Sequence, residues 1–288
     1  MTTDPRAAAP DATEPDATEP DAVTAAADRL LAAQATGVPC PPVRDLIGRT
    51  DVQAAYAVQQ RVVRARTAGG GRVAGRKIGL TSPAVQAQLG VDRPDFGVLF
   101  ADMQYPDGAA VPAGSILQPR AEAEIAFVLG ADLADGDLTL EQVRAAVDHA
   151  VAAIEVCGSR IAGWDISFAD TVADNASAGA YVLGTERRRL EGPDAFEPRE
   201  AVMTMSVDGR QVSTGDGAAC LGDPLLALQW LARQARDLGD PLRAGQVVLS
   251  GALGPMRAIT PGSTVEAVVA PLGTVRFTLS GPTEGAQR

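Results

Sequence analysis

Beyond the triple glycine at 69–71 the sequence breaks into short runs of β-forming residues divided by Gly, Pro and Asp. "EAEIAFVL", "AAIEVCG", "AYVLG", "MTMSVDGRQVSTG", "VVLSG" and "TVEAVVAPLGTVRFTLSG" follow one another with only two helical interruptions. A doubly wound sheet or a TIM barrel needs a helix after nearly every strand, so both are disfavoured. The pattern predicts an α+β fold, with a small helical N-terminal part and a mixed, rolled β core. Asp208-Gly209 marks a hairpin turn. One helix is expected over 139–151, "TLEQVRAAVDHAV", opened by a capping box from Thr139 to Gln142. The other is "DPLLALQWLARQARDLG", with Asp223 as N-cap and Pro224 in its first turn.

The chain divides by texture into three parts. Residues 1–21 carry the tandem "DATEP DATEP", six acids, one arginine and almost nothing to bury, which predicts a disordered acidic tail. Residues 22–75 form a helical N-terminal region. An Ala/Leu-rich helix from Asp21 to Val38 is closed by Gly37, and a second begins at the capping box "TDVQ" from Thr50. In the second helix Val52, Ala55, Tyr56, Gln59, Val62 and Val63 form a stripe at helical spacing. Residues 76–288 are left as an α+β domain.

A net charge of −11 repels polyphosphate, and no basic stripe interleaved with aromatics is present, so nucleic acid is not an expected partner. No apolar run approaches the roughly 18–20 residues of a membrane span, and no basic, apolar secretory leader opens the chain; the expected location is the cytoplasm. Cys40, Cys157 and Cys220 are widely spaced and form no CxxC pair, which predicts reduced, buried thiols. A small-molecule substrate is the remaining expectation.

In "QPRAEAEIAFVL", Glu122 and Glu124 stand at i and i+2, so a strand presents both on one face, with Ala123, Ile125 and Phe127 on the other. A solvated sheet face would explain two such glutamates as well as a metal site would. Glu155, interrupting the apolar run "VAAIEVCG" just after a helix that can return the chain beside the first strand, favours the metal. Three carboxylates from neighbouring strands suit Mg²⁺ or Mn²⁺ and leave positions open for water and substrate. The single histidine, His149, falls within the expected helix 139–151, which makes Ser-His or Cys-His catalysis hard to build. "GGRVAGRKI" misses the phosphate-binding P-loop, because Arg76 occupies the lysine position and no Ser or Thr follows Lys77. Lys77 is the only lysine among 25 basic residues. "FADTVADNASAG" gathers Asp170, Asp174, Asn175 and Ser177, where turn and cap roles compete with ligand binding. "LSGALGP" ends a strand at Ser250-Gly251, either as a tight turn or as a donor of backbone N–H groups to a carboxylate.

In order, "GRKIGLTSPAVQAQLGVDRPDFGVLFADM", "LQPRAEAEIAFVL", "EVCGSRI", "DTVADNASAG", "CLGDPL" and "LSGALGPM" resemble the 2-keto-4-pentenoate hydratases. These belong to the superfamily of the fumarylacetoacetate hydrolase C-terminal domain. The resemblance implies a metal-dependent hydro-lyase of aromatic meta-cleavage catabolism that converts 2-hydroxypenta-2,4-dienoate and water into 4-hydroxy-2-oxopentanoate. It makes 76–288 a metal-binding catalytic domain of that superfamily's type. It places metal ligands at Glu122, Glu124 and Glu155 and acid–base groups at Lys77 and Asp95. Arg120, Ser177, Ser250 and Gly251 are the expected substrate-binding residues.

A lysine beside a cation and partly buried is expected to have its pKa lowered toward neutrality, whereas arginine stays protonated. The resemblance further implies a homo-oligomer built on pentamers, and a downstream aldolase or a decarboxylase is a candidate partner. Asp223 and Ser250 depart from the His and Thr common in near relatives. Competing readings are a 4-oxalocrotonate decarboxylase or a hydratase of a longer 2-oxo-alkenedioate. Both would need a cation for a distal carboxylate, for which Arg76, Arg93, Arg120 and Arg160 are candidates. A noncatalytic partner of a pathway enzyme is the non-enzyme alternative.

Overall fold

The computed structural model describes residues 21–82, 86 and 91–281; the expected acidic tail, apart from Asp21, lies outside the described residues. Asp21 instead caps the first helix, α1 (Ala22–Thr36), accepting from the Thr24 N–H at 2.8 Å. Gly37, with φ of 72°, closes it in the left-handed conformation that glycine tolerates best. A short helix α2 (Arg44–Ile47) leads to α3 (Val52–Ala68). The N-cap of α3 is Asp51, which accepts from Ala54 N at 2.9 Å, so the expected Thr50 box does not form. An aspartate one residue on satisfies the same orphan N–H.

Small residues let this helical layer pack closely: Ala26, Ala27, Leu30 and Ala33 of α1 share a buried cluster with Ala55 and Val58 of α3. Gln59 fastens the layer to the β core, its buried amide donating to Phe96 O and Val172 O at 2.9 Å each.

The β core comprises two sheets. The larger is built from β1 (Val73–Gly79), β2 (Asp95–Phe100), β3 (Gln104–Pro106), β5 (Arg120–Leu129), β6 (Val147–Cys157), β7 (Ala178–Leu183), β10 (Val247–Leu249) and β11 (Arg257–Ala258). Its order is β2-β1-β10-β5-β6-β7-β3, with β11 also paired to β5. Parallel pairs β1/β10 and β3/β7 sit among antiparallel ones, the mixed sheet that the absence of strand–helix alternation predicts. The smaller sheet runs β4 (Ala110–Pro112), β13 (Gly273–Ser280), β12 (Thr264–Ala270), β8 (Val202–Val207), β9 (Arg210–Asp216). Asp208 and Gly209, at φ of 52° and 75°, make the β8–β9 hairpin turn.

The main apolar cluster joins the two sheets. Ala121, Ala123, Ile125, Phe127 and Leu129 of β5 meet Met203, Val265, Val275 and Phe277 from the smaller sheet. A helix at Pro224–Asp237, capped by Asp223 as expected, buries Leu225, Leu228 and Leu231 in the same cluster.

One element differs from expectation. The helix opened by Thr139 and Gln142 forms its capping box but spans only Leu140–Ala146, and residues 147–151 enter β6. Pairing of β6 with β5 from Val147↔Leu129 to Cys157↔Arg120 satisfies more backbone groups than another helical turn would. His149 therefore lies on a strand, its Nδ1 2.7 Å from the Asp148 carboxylate.

Candidate active site

The β5/β6 register sets the site. Glu122 is directly opposite Glu155, and Glu124 is opposite Ala153, so all three glutamates share the face turned away from the main apolar cluster. Glu124 and Glu155 are completely buried and Glu122 nearly so. Burial alone would drive such carboxyls to keep their protons. Glu124 is held well above the usual carboxylate range by burial and by the charges of Glu155 and Glu122. Burial raises Glu155 to about 7 despite the opposing pull of Lys77.

Lys77 comes from β1, opposite Gly97 of β2, and Gly79 is opposite Asp95. A Cβ on Gly79 would overlap Asp95 Oδ1 and sit 3.4 Å from Lys77 Nζ, so the missing side chain makes room for both groups. Lys77 Nζ lies 3.1 Å from Glu155 Oε2, an ion-pair contact rather than an aligned hydrogen bond. Burial lowers the Lys77 pKa, but the charges of Glu155, Cys157, Glu122 and Asp95 together raise it well above the ordinary lysine value. This direction is set by the carboxylates around the amine, whereas the expected lowering toward neutrality belongs to a lysine beside a cation. Asp95, also buried, is pushed up by burial while Lys77 and the Thr171 hydroxyl, 3.3 Å from Oδ2, draw it down.

β10 and β11 are two pieces of one course along β5. Between them, Gly251 leaves the ladder at φ of 106° and donates its N–H to Glu124 Oε2 at 2.7 Å. A Cβ there would meet Thr81 Oγ1 at 2.5 Å. Gly251 therefore holds a glutamate, and its N–H is taken. Ser250 is buried, with its N–H donating to Ile125 O at 3.0 Å and its hydroxyl accepting from Ile125 N at 3.3 Å.

Of the remaining sequence candidates, Arg120 lies on the same β5 face as Glu122 and stacks on Trp164, its guanidinium 4.3 Å from the ring centre. Arg76 pairs with Asp240, Arg93 with Asp92 and Arg160 with Asp174; among these four arginines only Arg120 has no carboxylate partner among the described residues. Ser177 is buried with an unpartnered hydroxyl and makes no hydrogen bond to a glutamate. Asp170 completes the capping box of its own helix and pairs with Arg44, Asp174 holds Arg160, and Asn175 bridges to the backbone of Val98. Cavities of about 220 and 500 Å³ lie elsewhere; neither is lined by Lys77 or the glutamates.

Sequence reasoning missed Cys157, Gly79, Thr81 and Thr171 as neighbours of the site. For Cys157 and Gly79 the signal was present, since each stands two residues from an expected site residue on the same strand. The donor set fits a hard divalent cation. Glu124 Oε1 and both Glu155 oxygens are buried without a hydrogen-bond donor, and one lysine cannot satisfy three glutamates.

Residues 73–280 match the family described as the C-terminal region of fumarylacetoacetate (FAA) hydrolase. The chain belongs to that family. Within it, the chain is 52% identical over 253 residues to the "TodF product hydratase" of Pseudomonas putida F1, covering 88% of this chain and 93% of that protein. It is 51% identical over 251 residues to the 2-keto-4-pentenoate hydratase of Paraburkholderia xenovorans LB400, covering 87% and 92%. Among solved structures, 4-oxalocrotonate decarboxylase from Pseudomonas putida G7, complexed with magnesium and adipate, superimposes with a TM-score of 0.84 at 31% identity, covering 89% and 97%.

Proposed function

We propose that the protein is a hydro-lyase that adds water to 2-hydroxypenta-2,4-dienoate to give 4-hydroxy-2-oxopentanoate, a reaction of aromatic catabolism. The observation that carries this reading is the contact of buried Lys77 with Glu155 inside a cluster of carboxylates in which Glu124 Oε1 and both Glu155 oxygens have no hydrogen-bond donor. The relatives at about half identity supply the substrate class.

Glu122, Glu124 and Glu155 would hold Mg²⁺ or Mn²⁺, with Gly251 fixing Glu124. When bound, the cation acts as a Lewis acid on a chelated 2-oxo acid and offsets the carboxylate charge that keeps the Lys77 pKa high. Lys77 and Asp95 are the proton-exchanging pair. The dienol gives up its 2-hydroxyl proton and takes one at C5 to become an α,β-unsaturated ketone; water then adds at C4, losing a proton as another is delivered to C3. Lys77 suits both deliveries because an amine, unlike a guanidinium, can release and recover its proton. Asp95 orients Lys77 or receives the proton lost by the water. Arg120, free of carboxylate partners among the described residues, would take the substrate carboxylate, with Ser177 and Ser250 shaping the pocket.

Residues 76–288 form the catalytic unit in this reading and 22–75 its helical support, β1 running across the junction. The protein is further proposed to work in the cytoplasm as a homo-oligomer built on pentamers. In support, Val202 and Val268 stand exposed on strands of the smaller sheet.

The test follows the loss of dienol ultraviolet absorbance with 2-hydroxypenta-2,4-dienoate beside CO₂ release from 4-oxalocrotonate. Absorbance loss without CO₂ is expected. CO₂ release with no hydration would assign the decarboxylase activity of the structural neighbour instead.

A further inference from the structure

Cys157 follows Glu155 by two residues on β6 and lies on the glutamate side of the sheet. Its thiol is buried, with Sγ 3.4 Å from Glu122 Oε1. One ligand atom from each of Glu122, Glu155 and Cys157 falls within 4.8 Å of the others. Both Glu155 oxygens, fully buried, have no hydrogen-bond donor, so this triangle contains acceptors that a cation would satisfy.

We propose that Glu122, Glu155 and Cys157 form a second, alternative binding mode that captures a thiophilic divalent cation of the Zn²⁺ or Cd²⁺ class. The inference rests on the assignment of Glu122 and Glu155 as metal ligands. Donor chemistry separates the two modes. Three carboxylates favour a hard, oxygen-seeking ion, whereas exchanging Glu124 for a sulfur gives a mixed oxygen–sulfur set suited to a softer ion.

Ligand atoms around a tetrahedral Zn²⁺ at about 2.0–2.3 Å stand roughly 3.3–3.7 Å apart, so small side-chain rotations would close the triangle. On capture the S–H bond breaks heterolytically, its proton goes to solvent, and a sulfur lone pair binds the cation with no change of oxidation state. Because Glu122 and Glu155 serve both modes, the modes exclude each other. A thiophilic ion therefore competes with Mg²⁺ or Mn²⁺ for the protein rather than binding beside it.

The test titrates metal-stripped, full-length protein with Cd²⁺ and reads the ultraviolet sulfur-to-cadmium charge-transfer band, with Mn²⁺ binding followed separately by electron paramagnetic resonance. The wild type should develop the band and release bound Mn²⁺ as it does so. Cys157→Ser should lose the band and bind Cd²⁺ about 10-fold or more weakly, the scale on which even supporting residues alter metal affinity, while still taking up Mn²⁺. Cys157→Ala repeats the measurement with no replacement donor, and Cys40→Ser and Cys220→Ser should keep the band. A band that never forms, that survives in both Cys157 variants, or that disappears with Cys40 or Cys220 instead overturns the proposal. A wild type that forms the Cys157-dependent band yet takes up no Mn²⁺ supports the sulfur mode and overturns the hard-cation assignment.

Discussion

Gly79 lacks a side chain, and that lack lets Lys77 and Asp95 approach from adjacent strands. The pairing makes Lys77 the residue whose replacement is most informative. Lys77→Arg keeps the positive charge facing Glu155 but removes the exchangeable amine. Turnover of the dienoate should fall by about 10²–10⁴-fold, the usual worth of a general acid–base group, with Mn²⁺ uptake and the circular dichroism spectrum preserved. Wild-type turnover in this variant would remove Lys77 from the chemistry. At this scale the sequence was legible where alternation on one strand sufficed: Glu122 and Glu124 share a face because a strand repeats every two residues. Beyond the return of Glu155's strand beside that of Glu122, contacts between strands distant in sequence were not legible. The field that raises the Lys77 pKa arises from β5, β6 and β2 together, and no stretch around residue 77 encodes it.

Among the elements, the turn before β7 carries the least ordinary backbone. Asn175, Ala176 and Ser177 have φ of 53°, 51° and 54°, three successive non-glycine residues in the left-handed region. Asn175 accounts for part of this. Its side-chain amide accepts from Val98 N at 2.7 Å and donates to Val98 O at 2.9 Å, so it serves as a substitute strand for the outer edge of β2. Asn175→Ala should unpair both buried backbone groups and destabilise the protein by about 1–3 kcal/mol per unsatisfied group, measured as a lower urea midpoint at unchanged slope. An unchanged midpoint would show that water replaces the amide.

The 139–151 segment was misread because capping box and apolar spacing agree with a helix through Val147. The competing ten-residue partner strand β5 lies upstream, where local periodicity takes no account of it. The helix at Pro224–Asp237 was read correctly because cap, proline and apolar stripe all lie within it.

For the molecule as a whole, the acidic cluster links metal, pH and stability. Glu155 moves from an ordinary 4.5 to about 7 on folding without a cation, and Glu124 and Asp95 move the same way. The folded state therefore binds more protons than the unfolded state between about 4.5 and 7. Stability of the metal-free protein should fall as pH rises through that window. A bound cation opposes this loss. At a hundred times its dissociation constant it adds about 2.7 kcal/mol, so the melting temperature gained on Mg²⁺ or Mn²⁺ addition should increase from pH 5 toward 7. Calorimetry of EDTA-dialysed protein across that range checks both signs. A metal-induced shift that is flat or falling with pH would place the bound ion away from these glutamates.

The division into a helical front and a rolled β body was legible because it depends on composition and period. The eight-stranded order was not, since β1 pairs with β10 across most of the chain.

The facing of Glu122 and Glu155 has a last consequence for how the protein is made. A slip of one residue between β5 and β6 would send the two carboxylates to opposite sides of the sheet, because side chains alternate strictly along each strand. Under the proposed ligand set, only a correctly threaded pair of strands would retain the ion. Metal uptake after refolding would then count the molecules in which β5 and β6 paired in the right frame, and bound metal would favour that frame over its neighbours.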